Sequence, residues 1–155
     1  MLTTYNVVSE DGFITDLDGS EEFIPDELWS KTLDFFSKFE IILMGRKTYE
    51  AMQKYDKDML DKFERLKIRK GVITRNTDFK PKEGYEVFYS PEEALGSANN
   101  VLVTSGPELN TYLLRKNLID EIVFWEIPEK IGSGVSPFSD KLGETWTDKI
   151  KRLKF

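Results

Sequence analysis

Three short segments carry the residue types that bind phosphate: Gly45-Arg46-Lys47-Thr48, Thr74-Arg75-Asn76 and Thr104-Ser105-Gly106-Pro107. Each closes a short apolar run that reads as a buried strand, namely Ile41 to Met44, Gly71 to Thr74 and Val101 to Thr104. The first and third also open a helical pattern. In open α/β sheets, ligands bind where strand C-terminal ends meet helix N-termini, because unpaired N–H groups and the helix dipole attract anions there. Gly45 lets a phosphate approach the backbone closely, Arg46 or Lys47 supplies charge, and the Thr48 hydroxyl can bond a phosphate oxygen. Arg75 presents a guanidinium beside the Thr74 hydroxyl, and the N–H groups around Ser105-Gly106 suit an anion nest.

Singly, a Gly-Arg-Lys-Thr segment is ordinary helix capping and Arg75 an ordinary solvated cation. Together, the three junctions match a ligand with one pyrophosphate and one ribose 2′-phosphate, which is NADPH rather than NADH. Hydride chemistry then calls for a proton source. The chain has no His and no Cys, which removes imidazole bases, thiolate nucleophiles, disulfides and the usual zinc sites. Carboxyl groups or ordered water remain. Asp16-Leu17-Asp18-Gly19 lacks the ligand spacing of a calcium loop, so no metal is assigned.

The elements that must hold these groups follow from periodicity. Leu2 to Val8 reads as a strand, Phe13 to Pro25 as a loop, and Asp26 to Phe39 as an amphipathic helix. Tyr49 to Tyr55 reads as a helix, Met59 to Lys70 as a charged amphipathic stretch, and Glu86 to Tyr89 as a strand. Ser90-Pro91-Glu92-Glu93 forms a capping box for a short helix stopping near Gly96. Pro107 to Asn117 reads as a helix with Leu109, Leu113 and Leu114 inward, followed by a strand at Ile122 to Ile127 and a basic edge strand within Trp146 to Phe155. Alternating strands and helices over 155 residues imply one α/β domain, 1–155, with a mainly parallel sheet covered on both faces. The net charge of −6 argues against nucleic acid as a partner. No apolar run reaches the roughly 20 residues of a membrane span, and the expected location is cytoplasmic.

The succession Val8-Ser9-Glu10-Asp11-Gly12-Phe13-Ile14, Ile42-Leu43-Met44-Gly45-Arg46-Lys47-Thr48-Tyr49-Glu50 and Leu102-Val103-Thr104-Ser105-Gly106-Pro107-Glu108-Leu109 resembles the dihydrofolate reductase superfamily. Among its branches it is most similar to the reductase domain of the bifunctional riboflavin-biosynthesis deaminase-reductase. Leu118 to Ile122 and Gly132 to Phe138 extend the likeness along nearly the whole chain. The resemblance implies a three-layer αβα sandwich with a mainly parallel mixed sheet. It implies an NADPH-dependent reductase of a small pyrimidine or pterin, most simply the reduction of 5-amino-6-(5-phosphoribosylamino)uracil in riboflavin synthesis. Reduction of dihydrofolate and a non-catalytic nucleotide-binding role are the alternatives.

On the same resemblance, Gly45, Arg46, Lys47 and Thr48 take the pyrophosphate and adenosine side, and Thr74, Arg75 and Asn76 the 2′-phosphate. Ser105, Gly106, Pro107, Glu108 and Leu109 form the phosphate loop and the helix turn after it, with Ser105 standing where the family has a second glycine. Val8 and Ile14 flank the nicotinamide, and Phe13 to Ile24 is the loop that closes over it. Aligning prolines puts Glu27 at the substrate-binding acid, and a one-residue slip puts Asp26 there; acidic residues in a first helical turn are also common for the dipole alone. Asp11 matches a substrate-side residue and equally a turn residue. A homodimer through the C-terminal strands is the expected assembly.

Overall fold

The computed structural model describes all residues, Met1 to Phe155. Seven strands form one sheet: β1 (Leu2–Val8), β2 (Ile41–Gly45), β3 (Arg69–Ile73), β4 (Glu86–Phe88), β5 (Val101–Val103), β6 (Glu121–Glu126) and β7 (Ile150–Lys154). Their spatial order is β4-β3-β2-β5-β1-β6-β7, with β7 and β4 at the open edges. Five helices connect them: α1 (Leu28–Phe36), α2 (Arg46–Met52), α3 (Lys57–Glu64), α4 (Pro91–Leu95) and α5 (Pro107–Arg115).

Every pairing between strands is parallel. The expected mixed sheet is corrected here, and the reason lies in the last connection. After β6 the chain runs back along the molecule through Ile127 to Gly143 and a 3-10 turn at Glu144–Lys149, so β7 enters from the same end as its neighbour. The lone antiparallel contact is a bridge between Thr15 and Val135, outside the sheet.

Strand periodicity divides the core into two layers, because alternate side chains leave opposite faces of a sheet. Ile41 and Leu43 join Val101, Val103, Leu113, Ile119 and Ile122 on the face covered by α4 and α5. Ile42 and Met44 join Tyr5, Leu102, Leu33, Phe36, Tyr49 and Phe63 on the face covered by α1, α2 and α3. Each fully buried aliphatic or aromatic side chain contributes about 1.5–3 kcal/mol of burial free energy. Gly71 is where β3 must be bare: a Cβ there would lie 2.7 Å from Phe88 and 2.8 Å from Leu43.

Several helix boundaries shift from the expected ones. α1 begins at Leu28 because Asp26 and Glu27 form a preceding turn, with the Leu28 and Trp29 N–H groups donating to the Pro25 and Asp26 carbonyls. It ends at Phe36, where Ser37 turns its hydroxyl back onto the Leu33 carbonyl at 2.8 Å. α2 starts directly after extended Gly45, three residues earlier than expected, and α3 occupies the start of the charged stretch. The Ser90 cap forms as the motif predicts, its hydroxyl accepting from the Glu93 N–H at 3.1 Å, while Glu93 reaches back to Tyr89. On α5, Leu113 is buried, but Leu109 and Leu114 are only half-buried; the other inward residues are Asn110 and Thr111.

Candidate active-site cleft

The strand order sets β3, β2 and β5 side by side, so the segments after them share one end of the sheet. These are the junctions at 74–76, 45–48 and 104–107. Beside the last two opens a cleft of about 530 Å³. One end is lined by Lys47, Thr48, Thr104, Ser105, Gly106 and Pro107. The other is lined by Ile24 and Asp26, by Leu28, Trp29 and Thr32 of α1, and by Met52 and Tyr55 at and beyond the end of α2. Ile14, Thr15 and Val135 close a third side.

The α5 junction has the properties an anion needs. Gly106 is the extended N-cap of α5 with no side-chain cap, and nothing lies within 4 Å of where its Cβ would be. The first helical N–H to find a carbonyl is that of Asn110, on Gly106; the Glu108 and Leu109 N–H groups make no hydrogen bond within the protein. Ser105 is buried, and its hydroxyl accepts the Gly45 N–H at 3.1 Å and lies 3.4 Å from the Thr48 hydroxyl. Ser105 therefore joins two junctions and leaves the Gly106 backbone open. A Cβ on Gly45 would meet that hydroxyl at 3.3 Å, so residue 45 must stay small.

The remaining phosphate-side residues differ in exposure. Arg46 is paired with Glu50 at 3.6 Å, and Lys47 stands 4.0 Å from Glu108; all four side chains are well exposed. Arg75 is exposed and has no carboxylate within ion-pair distance, although its charge reaches the Tyr112 hydroxyl on α5. Thr74 is buried, its hydroxyl accepting the Asn76 N–H at 3.1 Å, and Asn76 accepts from Asp78 at 3.0 Å. None of Thr74, Arg75 and Asn76 lines the cleft.

Below the 104–107 loop, Asn6 and Asn110 form a buried, hydrogen-bonded pair. Asn6 Nδ2 donates to the Ser105 carbonyl at 2.8 Å. Asn110 Nδ2 lies 3.1 Å from Asn6 Oδ1, 3.3 Å from the Ser105 carbonyl and 2.9 Å from the Pro137 carbonyl, each an acceptor. Neither asparagine was singled out from the sequence. A polar residue inside the apolar strand β1 was the available signal, since a buried amide needs partners.

The structure separates the expected acids. Glu27 is exposed and does not line the cleft, whereas Asp26 does. Asp11 also lies off the cleft. It accepts hydrogen bonds from the Ser9 hydroxyl at 2.6 Å and from the Ile131 and Gly132 N–H groups at 3.2 and 2.8 Å. Led by the Ser9 bond, these hold its carboxyl down at about 2, so it is ionised at neutral pH and braces the loop after β1 against the 129–135 turn. Val8 is buried in the core layer beneath the site, and its neighbour Val7 faces the cleft. Ile14 lines the cleft as expected.

The carboxyl that sequence reasoning missed is Glu21. It lines the cleft from the loop and accepts the Tyr55 hydroxyl at 3.3 Å. Although the residue keeps solvent contact, crowding around its carboxyl raises its pKa, partly offset by the Tyr55 bond, and burial together with Glu21 raises that of Tyr55. Deeper in, Tyr5 and Thr32 share a 2.8 Å hydrogen bond, and burial pushes the Tyr5 hydroxyl up to about 12. Trp29 is fixed by its indole N–H on the Met59 carbonyl at 3.0 Å and packs edge-on against Tyr55. No group of three or more His, Cys, Asp or Glu side chains gathers as a metal cluster, and no helix is long and apolar enough to cross a membrane.

No family model matches the chain. The uncharacterised protein YwjB of Bacillus subtilis is 26% identical over 150 residues, covering 91% of this chain and 84% of that one. A solved structure from Shewanella sp. PV-4, assigned to riboflavin biosynthesis, superposes with a TM-score of 0.70 at 19% identity, over 92% of this chain and 85% of that chain. The Thermotoga maritima diaminohydroxyphosphoribosylaminopyrimidine deaminase/5-amino-6-(5-phosphoribosylamino)uracil reductase gives 0.66 at 18% identity; it covers 94% of this chain, which spans 49% of that larger protein. Enterococcus faecalis dihydrofolate reductase, solved with NADP(H), gives 0.64 at 21% identity over 94% and 80% of the two chains. Seven parallel strands in this order, three junctions at one end and these superpositions together establish that the chain has the dihydrofolate reductase fold.

Proposed function

We propose that the protein is an NADPH-dependent reductase of a small planar heterocycle of the pyrimidine or pterin type. The observation that carries the reading is the pair of junctions at 45–48 and 104–107 that line one end of a cleft, with 74–76 at the same end of the sheet and a carboxyl of raised pKa in the cleft's far half. In this reading the α5 N–H groups, Ser105, Thr48 and Lys47 hold the pyrophosphate, and Arg75 with Thr74 and Asn76 reads the 2′-phosphate. When bound, NADPH supplies a hydride to a carbon of a C=N bond.

The chain's own residues supply the rest. Trp29, Ile24, Leu28 and Met52 exclude water from the ring and orient it by contact. Reduction at carbon leaves the adjacent nitrogen needing one proton. Glu21 is the fitting donor, because desolvation holds its proton to higher pH and Tyr55 fixes the carboxyl. Glu21 then regains a proton from solvent, to which it stays open. Asp26, lining the same half, is placed to accept ring N–H groups. The loop bearing Glu21 is lashed down by Asp11 and by paired backbone bonds, Ile14 to Val135 at 2.8 Å and Val135 to Thr15 at 3.0 Å.

The test is a calorimetric titration with NADPH and, in parallel, NADH, followed by NADPH oxidation with pyrimidines and pterins. Micromolar binding that prefers NADPH, with turnover of one substrate class, is the expected result. No binding up to millimolar NADPH would overturn the reductase reading. Binding without turnover would favour the non-catalytic alternative.

A further inference from the structure

The charges that line the cleft are unevenly placed. The lining contains one cation, Lys47, and two carboxylates, Glu21 and Asp26. Lys47 belongs to the first turn of α2, at the phosphate junction. The helix carries the wall from there to Met52, about 7.5 Å along its axis at 1.5 Å per residue, and Tyr55 lies beyond. Both carboxylates sit with the far half, Glu21 against Tyr55 and Asp26 directly before α1. That half otherwise offers Trp29, Leu28, Ile24, Met52 and the Thr32 and Tyr5 hydroxyls.

A helix N-terminus could take an anion in place of a cation, but at α1 the N–H groups left free are few, that of Ser30 among them. Its Leu28 and Trp29 N–H groups are already bonded to the Pro25 and Asp26 carbonyls at 3.1 and 3.0 Å, and Asp26 brings its own charge to that end. A phosphate or carboxylate carried into the far half would meet the charge of Asp26, joined by that of Glu21 once pH has passed its raised pKa, with no opposing cation in the wall. A neutral or cationic heterocycle would meet hydrogen-bond acceptors and an apolar, aromatic floor.

Resting on the reductase reading, we infer that the substrate enters without a phosphate or carboxylate group: an uncharged or cationic N-heterocycle or its free riboside. This departs from both activities that the resemblance implies, since one substrate there is a phosphoribosyl compound and the other carries a glutamate tail. If the heterocycle is made as a phosphoribosyl compound, a phosphomonoester hydrolysis or a glycosidic cleavage has to come first.

The experiment uses the full chain saturated with NADP⁺ at mildly alkaline pH, where Glu21 is ionised, and follows tryptophan quenching and heat with two matched pairs. These are 5-aminouridine against its 5′-monophosphate, and pterin against pterin-6-carboxylate. Repulsion between an added anion and carboxylates within about 8 Å is worth roughly tenfold in affinity, so each uncharged member should bind about tenfold tighter. In E21Q/D26N the gap should close to within a factor of about two, as expected when the repelling charges are gone. Equal or tighter binding of the phosphate or carboxylate member to the wild-type protein would overturn the inference while leaving the reductase reading in place. A gap that persists unchanged in E21Q/D26N would also overturn it, because the discrimination would then be steric. If NADP⁺ binds and neither member of either pair does, the heterocycle reading itself falls, and this inference with it.

Discussion

Replacing Asn110 with leucine tests whether the buried amide pair holds the phosphate loop. The side chain is fully buried, and leucine keeps approximately its volume, so packing changes little. The substitution deletes the donors to Asn6 Oδ1 and to the Pro137 carbonyl, which have no other partner. The Ser105 carbonyl keeps Asn6 at 2.8 Å. Two orphaned acceptors cost about 1–3 kcal/mol each. Against this, Asn110 Oδ1 is itself unbonded in the folded protein, and removing it returns about 1–2 kcal/mol. A net loss of about 2–3 kcal/mol follows, or a Tm lower by roughly 5–10 °C for a chain of this size. Urea unfolding with an unchanged m-value measures it. At a temperature where the variant is fully folded, NADPH should also bind several-fold more weakly, because the 104–107 loop has lost its strap to Pro137. A Tm within about 1 °C of wild type would refute the accounting, since no orphaned pair of acceptors is that cheap.

Three further outcomes follow from the site. Arg75→Ala should weaken NADPH binding by about 1.5–3 kcal/mol and leave NADH unchanged, and equal losses by calorimetry would remove Arg75 from the 2′-phosphate. Glu21→Gln should lower kcat by roughly 10²-fold or more. Because crowding around its carboxyl raises the Glu21 pKa, wild-type turnover should fall as pH rises through that raised value, and the variant's pH profile should be flat there. Asp11 has its folded-state pKa lowered to about 2, so its contribution to stability is present above its ordinary value of 3.8 and is lost as pH falls toward about 2. Asp11→Asn should therefore reduce Tm at pH 7 and flatten the acid limb of the Tm–pH curve over that window.

The sequence by itself determined the local grammar of the protein. The β-branched run at 2–8, the strand-sized apolar runs at 41–44 and 101–103, the Ser90 cap and the glycine and hydroxyl residues after 41–44 and 101–103 are short-range features, so their chemistry was legible one segment at a time. The motif succession also pointed correctly to the dihydrofolate reductase fold. What only the tertiary structure decided depends on parallel pairing between distant segments. Nothing within Thr74-Arg75-Asn76 says that it lies beside Gly45, or that Ser105 caps the Gly45 N–H across 60 residues. The same holds for Asn6 and Asn110, which are 104 residues apart and partners only because β1 runs next to β5 and under α5. The acids are the sharpest case. In sequence, Asp11 and Glu21 read as loop carboxylates and Asp26 and Glu27 as acids of a first helical turn. The bonds that the 9–25 loop makes to the 129–135 turn and to Tyr55 put Asp11 to work as a brace, turn Glu21 and Asp26 into the cleft, and leave Glu27 in solvent. A loop's path is set by contacts with residues far along the chain, and its local pattern does not encode them.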